Sequence, residues 1–507
     1  MPVRDPDIVV IGSGPNGMVA ACRLAQQGFN VLVVEAHPRR PGGALGSVES
    51  TLPGYVHDVG AAFFPFGTIS PAFRSLALES HGLEWCHAPF ESCHPAPDGS
   101  YACIARNADI TARHFGGGKD GDAWRRLAVW YSTVERDLLD ALLLTFPAIR
   151  PLLRLGPLEL FRVARTFMSS ARGLSSRLFR SEAARRVLPS LGLHVDVAPD
   201  DRFGAALGFM LGMTATTGGY AVPRGGAQSI TNALIELLEQ HGGRLRLGAR
   251  VTKVVVREGR AQAVRLDSGE EIPATRAVLA DTGAPALLLD LLDPEHVPSR
   301  VLGRMRAFPY GWGTFKVDWA LGGPVPWTVE AAHESAVVHA ADSIDDLSRF
   351  ARQVRSGELP DNPYLVIGQQ SVADPTRAPA GKHTLYCYSR VPSAPAGGWN
   401  AARESFADRI EQRIEALAPG FRSRILARRI AAPPDLESMD ENLVGGDLGG
   451  GSNAYNRQLL WRPVFPWFRY RMPVDGLYLC SSYAHPGAGV HGMCGYNAAG
   501  RVQRDLG

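Results

Sequence analysis

Two glycine-rich stretches at opposite ends of the chain carry the residue types needed to hold a large anionic cofactor. The first is Gly12-Ser13-Gly14-Pro15-Asn16-Gly17, directly after the apolar run Ile8–Ile11. In a strand–turn–helix unit of this kind the first glycine permits the tight turn. The second lets main-chain N–H groups approach a diphosphate, and the third lets the helix pack on the strand. The helix N-terminus adds donors and partial positive charge facing the phosphates. The second stretch enters from the apolar run Leu477-Tyr478-Leu479-Cys480, passes Ser481, and continues as His485-Pro486-Gly487-Ala488-Gly489-Val490-His491-Gly492-Met493. It reads as a buried strand running into a backbone-rich loop. A dinucleotide clamped by both ends is the arrangement expected of a large flavoprotein, so FAD is the expected cofactor.

The elements that would position these residues are legible around them. A helix is expected over 15–27, stopped by Gly28 as a C-cap. A second strand, Val31–Val34, ends in Glu35, close to the spacing at which the fingerprint places an acid for the adenosine ribose. Ala36 follows, and Arg39-Arg40-Pro41-Gly42-Gly43 is expected to run along the diphosphate and flavin. Residues 55–60 read as a strand end approaching the same pocket. Gly116-Gly117-Gly118 and 445–451 are glycine-rich, but neither follows a clear strand and opens a helix. A dedicated NAD(P)H domain is therefore not expected. Oxygen or a quinone-like carrier would reoxidise the flavin, or the flavin would cycle without net redox change.

The chain has 507 residues, 45% apolar and 20% charged, with net charge +3. That length calls for two joined domains. Only four of the 53 basic residues are lysines, a skew that points to genome composition rather than a nucleic-acid surface. The seven cysteines contain no Cys-x-x-Cys, which fits reduced thiols in a cytoplasmic protein. No secretory signal precedes Ile8, and no apolar run reaches the length of a membrane span. Cys86-His87 and Cys93-His94, with His81 and His114, match no zinc spacing, and no metal is expected.

After Phe73 the pattern turns helical. Between 150 and 186, arginines interleave with Leu152, Leu153, Leu155, Leu158, Leu160, Phe161 and Phe167. This is either a helical lid with a solvated polar face or an amphipathic surface for peripheral membrane contact. Val222-Pro223-Arg224-Gly225-Gly226 then opens a helix ending near 238, followed by strands over 250–257, 262–266 and 277–281. Strands alternate with helices from about 290 to 430: strands over 313–319, 336–340, 364–369 and 384–390, helices over 344–354 and 401–417. Such alternation fits an antiparallel sheet flooring a substrate cavity.

Taken together these landmarks resemble the phytoene desaturase and carotenoid isomerase group of FAD-dependent oxidoreductases, within the amine oxidase-like superfamily. The branch they are most similar to is that of pyridine nucleotide-disulfide oxidoreductase domain-containing protein 2. The resemblance rests on the Gly12–Gly17 motif, Val222-Pro223-Arg224-Gly225-Gly226, Asp374-Pro375 with Ala378-Pro379-Ala380-Gly381-Lys382-His383, Gly445-Gly446-Asp447, Arg462-Pro463, and the stretch 476–499. It implies an α/β fold: a Rossmann-like, GR2-type FAD-binding domain built from 1–75, 215–290 and 430–507. This would interleave with an α+β substrate domain in which 76–214 is a helical lid and 291–429 a mixed sheet. It also implies a flavin under the last loop and an adenine contact through the Val251 backbone. Two departures stand out. Cys480-Ser481-Ser482 replaces the usual Cys-Gly-Ala, and Gly42-Gly43-Ala44 replaces Gly-Gly-Arg, removing one charge near the flavin.

The resemblance implies an enzyme whose flavin takes a hydride from an apolar, conjugated or lipid-like substrate, the protein supplying orientation and electrostatics. The resemblance also leaves two alternatives: an amine oxidase of the same fold, with Tyr483 and Tyr496 as an aromatic cage, and a flavin-free prenyl or lipid carrier like Rab GDP dissociation inhibitor. Candidates near the isoalloxazine are Tyr483, His485, His491, Met493 and Tyr496. His485 and His491 have the side chain for a base near neutral pH, but a loop histidine has many non-catalytic partners, and hydrogen-bonding the flavin or backbone and shaping the loop is the favoured role. Asn497-Ala498-Ala499 is expected to open the final helix, its N-terminus facing the flavin.

Overall fold

The computed structural model describes residues 4–507. Ile8–Ile11 lies at the centre of a five-stranded sheet, flanked by Val31–Val34 on one side and Ala277–Ala280 on the other. Arg244–Arg246 closes one edge and Leu477–Leu479 the other, and every pairing is parallel. The three inner strands are apolar and buried along their whole length, as a parallel sheet covered on both faces requires. Each Val, Leu or Ile so buried stabilises the fold by roughly 1.5–3 kcal/mol.

The first helix, Pro15–Ala25, begins with proline at its first turn, where a missing N–H costs nothing. The final helix spans Met493–Leu506, so it opens four residues before the expected Asn497. The reason is Gly492, which takes φ 67° and starts the helix from a left-handed conformation. Asn497 instead lies inside the helix and donates through Nδ2 to the Leu143 carbonyl (2.8 Å). The two end helices cross closely: Arg23 donates to the Tyr496 carbonyl (2.6 Å) and lies over the Tyr496 ring.

The second sheet has seven strands in the order Ile425–Ala431, Gly313–Leu321, His383–Val391, Leu365–Gly368, Ser335–Ala340, Phe90–Pro95, Tyr101–Ile104. All neighbours are antiparallel except Ser335–Ala340 with Phe90–Pro95. Its last two strands come from the segment expected to be a helical lid. Their short runs, holding Cys93, His94 and Cys103, lack the alternation that would announce a strand because both faces are buried. Trp85–Cys86 forms a further short strand, paired with Val222–Pro223, and most of the rest of that segment is helical, including Gly118–Leu143 and Ile149–Phe167. Ile149–Phe167 is kinked at Gly156 (φ 73°), followed by Pro157.

Three of the sequence landmarks meet at one buried cation. The Arg377 guanidinium, fully buried, donates to Asp58 Oδ2 (2.9 Å), to Asp374 Oδ2 (3.0 Å) and to the Pro223 carbonyl (3.1 Å). Asp374 also accepts from Gly225 N–H (2.7 Å), and Asp58 from Ala227 N–H (2.8 Å). The segment 55–60 therefore turns to this ion cluster and not, as its sequence suggested, to the cofactor pocket. Among the described residues no helix is long and apolar enough to cross a membrane. All seven cysteines are buried and unpaired, and among the described residues no group of three or more His, Cys, Asp or Glu is placed to hold a metal ion.

Candidate active site

Beyond the carboxyl ends of the parallel strands opens a cleft of about 660 Å³. This is where open α/β sheets bind ligands, because the strand ends and helix N-termini converge there. The first glycine turn supplies Gly12, Gly14, Pro15 and Asn16 to its lining, and the second strand supplies Glu35 and Ala36. Arg40 and Gly43 come from the loop that follows, and Val251 from the strand Val251–Arg257. From the other end of the chain come Ser481, Tyr483, Gly489 and Val490. Residues separated by more than 450 positions thus share one cavity.

Gly17, Gly42 and Gly492 do not line the cleft, and each is glycine for a packing reason. A Cβ at Gly17 would lie 2.5 Å from the Gly12 carbonyl oxygen, so its absence lets helix meet strand. Gly42, at φ 109°, would press a side chain onto Thr231, and Gly492 would meet Val19 at 2.8 Å. Gly14 has a different neighbour from the one its motif suggests. Its Cβ would lie 2.5 Å from Asp281 Oδ2, so a carboxyl group of the protein fills that space.

Asp281 follows the strand Ala277–Ala280, lines the cleft and accepts the Gly17 N–H (2.8 Å). Burial pushes its pKa up to about 7, against the lowering effect of the Gly17 bond, and Asp440 and Glu35 raise it further. Sequence reading named it only as the end of a strand; the position after a parallel strand beside the glycine turn is the signal that marks it. Glu35 accepts from Ser13 N–H (2.9 Å), Ser13 Oγ (2.6 Å) and His37 N–H (2.8 Å), fixing the acid against the turn.

The far wall is built by two more of the family-like motifs. Asp447 accepts from Gly311, Gly449 and Gly451 N–H groups (2.9, 2.7 and 2.8 Å). Buried Arg462 donates to the carbonyls of Gly449 (2.5 Å), Gly450 (3.0 Å) and Ser482 (2.8 Å). One acid and one arginine thus satisfy both faces of a glycine loop whose Gly450 lines the cleft. Ser481, at the departure from Cys-Gly-Ala, donates to the Thr282 carbonyl (2.7 Å), so its hydroxyl ties the loop to the neighbouring strand end.

Of the residues expected beside a flavin ring, only Tyr483 lines the cleft. Its hydroxyl donates to the Asn442 carbonyl (2.8 Å), and burial raises its pKa. His485 and His491 do not line the cleft, and each is engaged with the backbone. His485 is turned to the Leu144 carbonyl (3.0 Å), and burial holds its pKa down to about 4. His491 accepts the Met493 N–H on Nδ1 (3.1 Å) at the start of the final helix, and burial holds its pKa down to about 3. Both are neutral imidazoles that shape the loop. Tyr496 is held under Arg23, away from Tyr483, so the two do not form a cage.

The lining suits a dinucleotide. Two of its buried polar atoms, Asn16 Oδ1 and Arg40 Nη1, have no hydrogen-bond partner among the described residues. One is an acceptor and the other a cationic donor, the pair of functions that a diphosphate with its attached sugar would satisfy. Arg40, Gly14 and Asn16 would hold the diphosphate, Glu35 the adenosine ribose and Val251 the adenine side. The loop through Ser481, Tyr483, Gly489 and Val490 is left for the flavin.

Comparison with known proteins agrees with this geometry. Over residues 17–502 the chain matches the family described as flavin containing amine oxidoreductase. It is 29% identical to pyridine nucleotide-disulfide oxidoreductase domain-containing protein 2 of Mus musculus, over 99% of this chain and 94% of that one. It is 27% identical to the neurosporene-forming phytoene desaturase of Rhodobacter capsulatus, over 96% of this chain and 91% of that one. An oxidoreductase from Methanosarcina mazei shares the fold with a TM-score of 0.66 at 17% identity, covering 98% and 99% of the two chains. With a dinucleotide cleft closed by both chain ends and a family match across nearly its whole length, this protein is an FAD-dependent oxidoreductase of the flavin containing amine oxidoreductase family.

Proposed function

We propose that the enzyme acts on an apolar, conjugated or lipid-like small molecule, as a desaturase, dehydrogenase or isomerase. When bound, FAD supplies the hydride acceptor at N5. The chain's own residues then have to bind an apolar chain beside the flavin, exclude water and keep competing polar substrates out.

One observation carries the substrate class. A second cavity of about 630 Å³ lies beside the first, and the wall between them is aromatic. Tyr483 lines the cofactor cleft and packs against Phe308 with ring centroids 5.5 Å apart, and Phe308 lines the second cavity. Met305, Pro309, Trp461 and Val464 add apolar surface to a lining that also holds Ser452 and Asn456. The charged residues there are Arg304, Arg457 and Arg462, and no carboxylate is present. A protonated amine would meet three like charges in the lining, with Asp447 and Asp196 turned to the Gly451 N–H and the Ser452 hydroxyl, whereas an apolar chain can lie on the aromatic and aliphatic surface. This favours the desaturase-like reading over the amine oxidase reading. The Rhodobacter capsulatus relative is a phytoene desaturase, which points the same way. With no second dinucleotide motif in the sequence, oxygen or a quinone-like carrier is the proposed electron acceptor.

The test is anaerobic mixing of the holoenzyme with polyenes, long-chain lipids and amines, followed by its visible spectrum. Bleaching of the oxidised flavin bands by polyenes or lipids, or product isomers without bleaching, supports the reading. Bleaching by amines alone, with hydrogen peroxide on admitting air, overturns it. The spectrum before and after denaturation also separates a released flavin from a tethered one.

A further inference from the structure

Asp281 is the carboxyl group set against the two later glycines of the turn, Gly14 and Gly17. Its Oδ2 accepts the Gly17 N–H at 2.8 Å and stands 2.5 Å from the position of a Cβ on Gly14. The carboxyl therefore sits against the two glycines that a diphosphate loop offers to its ligand, and it also lines the cleft. The Gly17 N–H, one of the free donors at the start of the helix Pro15–Ala25, is already committed to it. An ionised group here would face the diphosphate with like charge in a buried setting.

The charges that bear on Asp281 are carboxylates. Asp440 and Glu35 face Asp281 across the cleft, and the buried thiols of Cys480 and Cys494 lie near it. The lining arginines are Arg40, which lies by Glu35 and Asp440, and Arg250, which is paired with Glu441 (2.8 Å). His37 serves the backbone of Arg40 through its Nδ1 (2.8 Å). As a neutral acid, Asp281 keeps the Gly17 bond on one oxygen and gains an O–H donor on its carboxyl for a phosphate oxygen.

We propose that Asp281 is the positioning residue through which cofactor loading is coupled to a proton: FAD is held with Asp281 as the neutral acid, and binding takes up one proton from solution. The balance is simple. Asp281 carboxylate plus a proton gives the carboxylic acid, and no bond to the cofactor forms or breaks. In the protein without ligand the group titrates at about pH 7, raised chiefly by burial, so the coupling falls in the physiological range. A diphosphate beside it raises the value further.

The experiment follows release of FAD from the holoenzyme on dilution, by flavin fluorescence, between pH 6 and 9. Proton uptake on rebinding is measured by calorimetry in buffers of different ionisation enthalpy. The expected result is a dissociation constant that is flat below pH 7 and rises above it, approaching tenfold per pH unit, with up to one proton taken up. Asp281→Asn, which fixes an amide donor in place of the acid, flattens the profile and abolishes the uptake. Asp440→Asn keeps the slope and the uptake but moves the bend to lower pH, because it removes a charge that raises Asp281. A wild-type profile flat to pH 9 without uptake overturns the proposal, as does a slope that survives Asp281→Asn or disappears in Asp440→Asn. If Asp281→Asn does not fold, the uptake measured on the wild-type protein decides alone. Absence of FAD binding at every pH is a distinct outcome that removes the cofactor assignment together with this proposal.

Discussion

Gly495 in the final helix stands so close to Asn16 in the first that any side chain there would overlap the Asn16 main-chain oxygen, with its Cβ 2.7 Å from the carbonyl carbon. This approach locks the end of the chain onto the start of the helix that carries the glycine turn. The cofactor cleft exists because these two helices can touch.

Gly495→Ala is therefore expected to force the helices apart. The obstacle is main chain on both sides, with Ala20 N also only 3.1 Å from the added carbon, so no side chain can swing away. Overpacking of this kind costs about 3 kcal/mol. Thermal unfolding should show a large fall in Tm together with loss of retained flavin. An unchanged Tm would refute the crossing.

Gly14→Val should yield protein with no flavin bands after purification. The added side chain meets the Asp281 carboxyl at 2.5 Å, and any shift of Asp281 goes into the cleft. The ratio of flavin absorbance to protein absorbance measures the loss. Flavin content equal to wild type would show that the diphosphate is not held at this turn.

Arg377→Met should destabilise the fold by about 3–5 kcal/mol, because it leaves Asp58 and Asp374 buried without their shared cation. Urea unfolding at pH 7 provides the number. Arg377→Lys is expected to fall between, since an ammonium cannot donate to Asp58, Asp374 and the Pro223 carbonyl with one planar fork.

Acid should weaken the fold earlier than carboxylate titration alone would do. Burial holds His485 down to about 4 and His491 down to about 3, and it lowers His94, His194 and His339 well below their ordinary value. Unfolded, each takes a proton near pH 6.5. Their contribution is complete above pH 6.5 and is lost as pH falls from 6.5 towards 4 and 3. The slope is up to roughly 1.4 kcal/mol per pH unit for each histidine. Unfolding free energies at pH 7.5, 6 and 5 should fall accordingly, and His485→Gln should make the fall shallower.

Proposed peripheral membrane contact through 150–186 has a physical basis in the kinked helix Ile149–Phe167. Leu153 is 74% exposed and Phe161 66%, with Ile149, Leu158 and Met168 similarly open. Arg154 and Arg162 are paired with carboxylates of the protein, whereas Arg150 and Arg165 have no such partner among the described residues. Co-sedimentation with vesicles of anionic lipid should drop about tenfold in Leu153→Asp/Phe161→Asp, with flavin content unchanged. Equal sedimentation of both proteins would make this face an ordinary solvated lid.

The sequence by itself determined the elements whose signal is local. Ile8–Ile11, Pro15–Ala25 and Val31–Val34 follow from an apolar run, a glycine turn and a proline at the first turn of a helix. The strands Gly313–Leu321 and His383–Val391 and the helix Trp399–Leu417 came within two residues of expectation, because their apolar patterning is long. Most of the cleft lining named from the glycine turn and the last loop was legible for the same reason. Tertiary structure alone decided the rest. Phe90–Pro95 and Tyr101–Ile104 join the second sheet because both their faces are covered, which erases the alternation that marks a strand. His485 and His491 have the right side chains for a base, yet packing keeps both out of the cleft lining and turns them to the Leu144 carbonyl and the Met493 amide. Asp281 has no motif of its own. It becomes part of the site because two parallel strands more than 260 residues apart in the chain lie in register, bringing its carboxyl against Gly14 and Gly17.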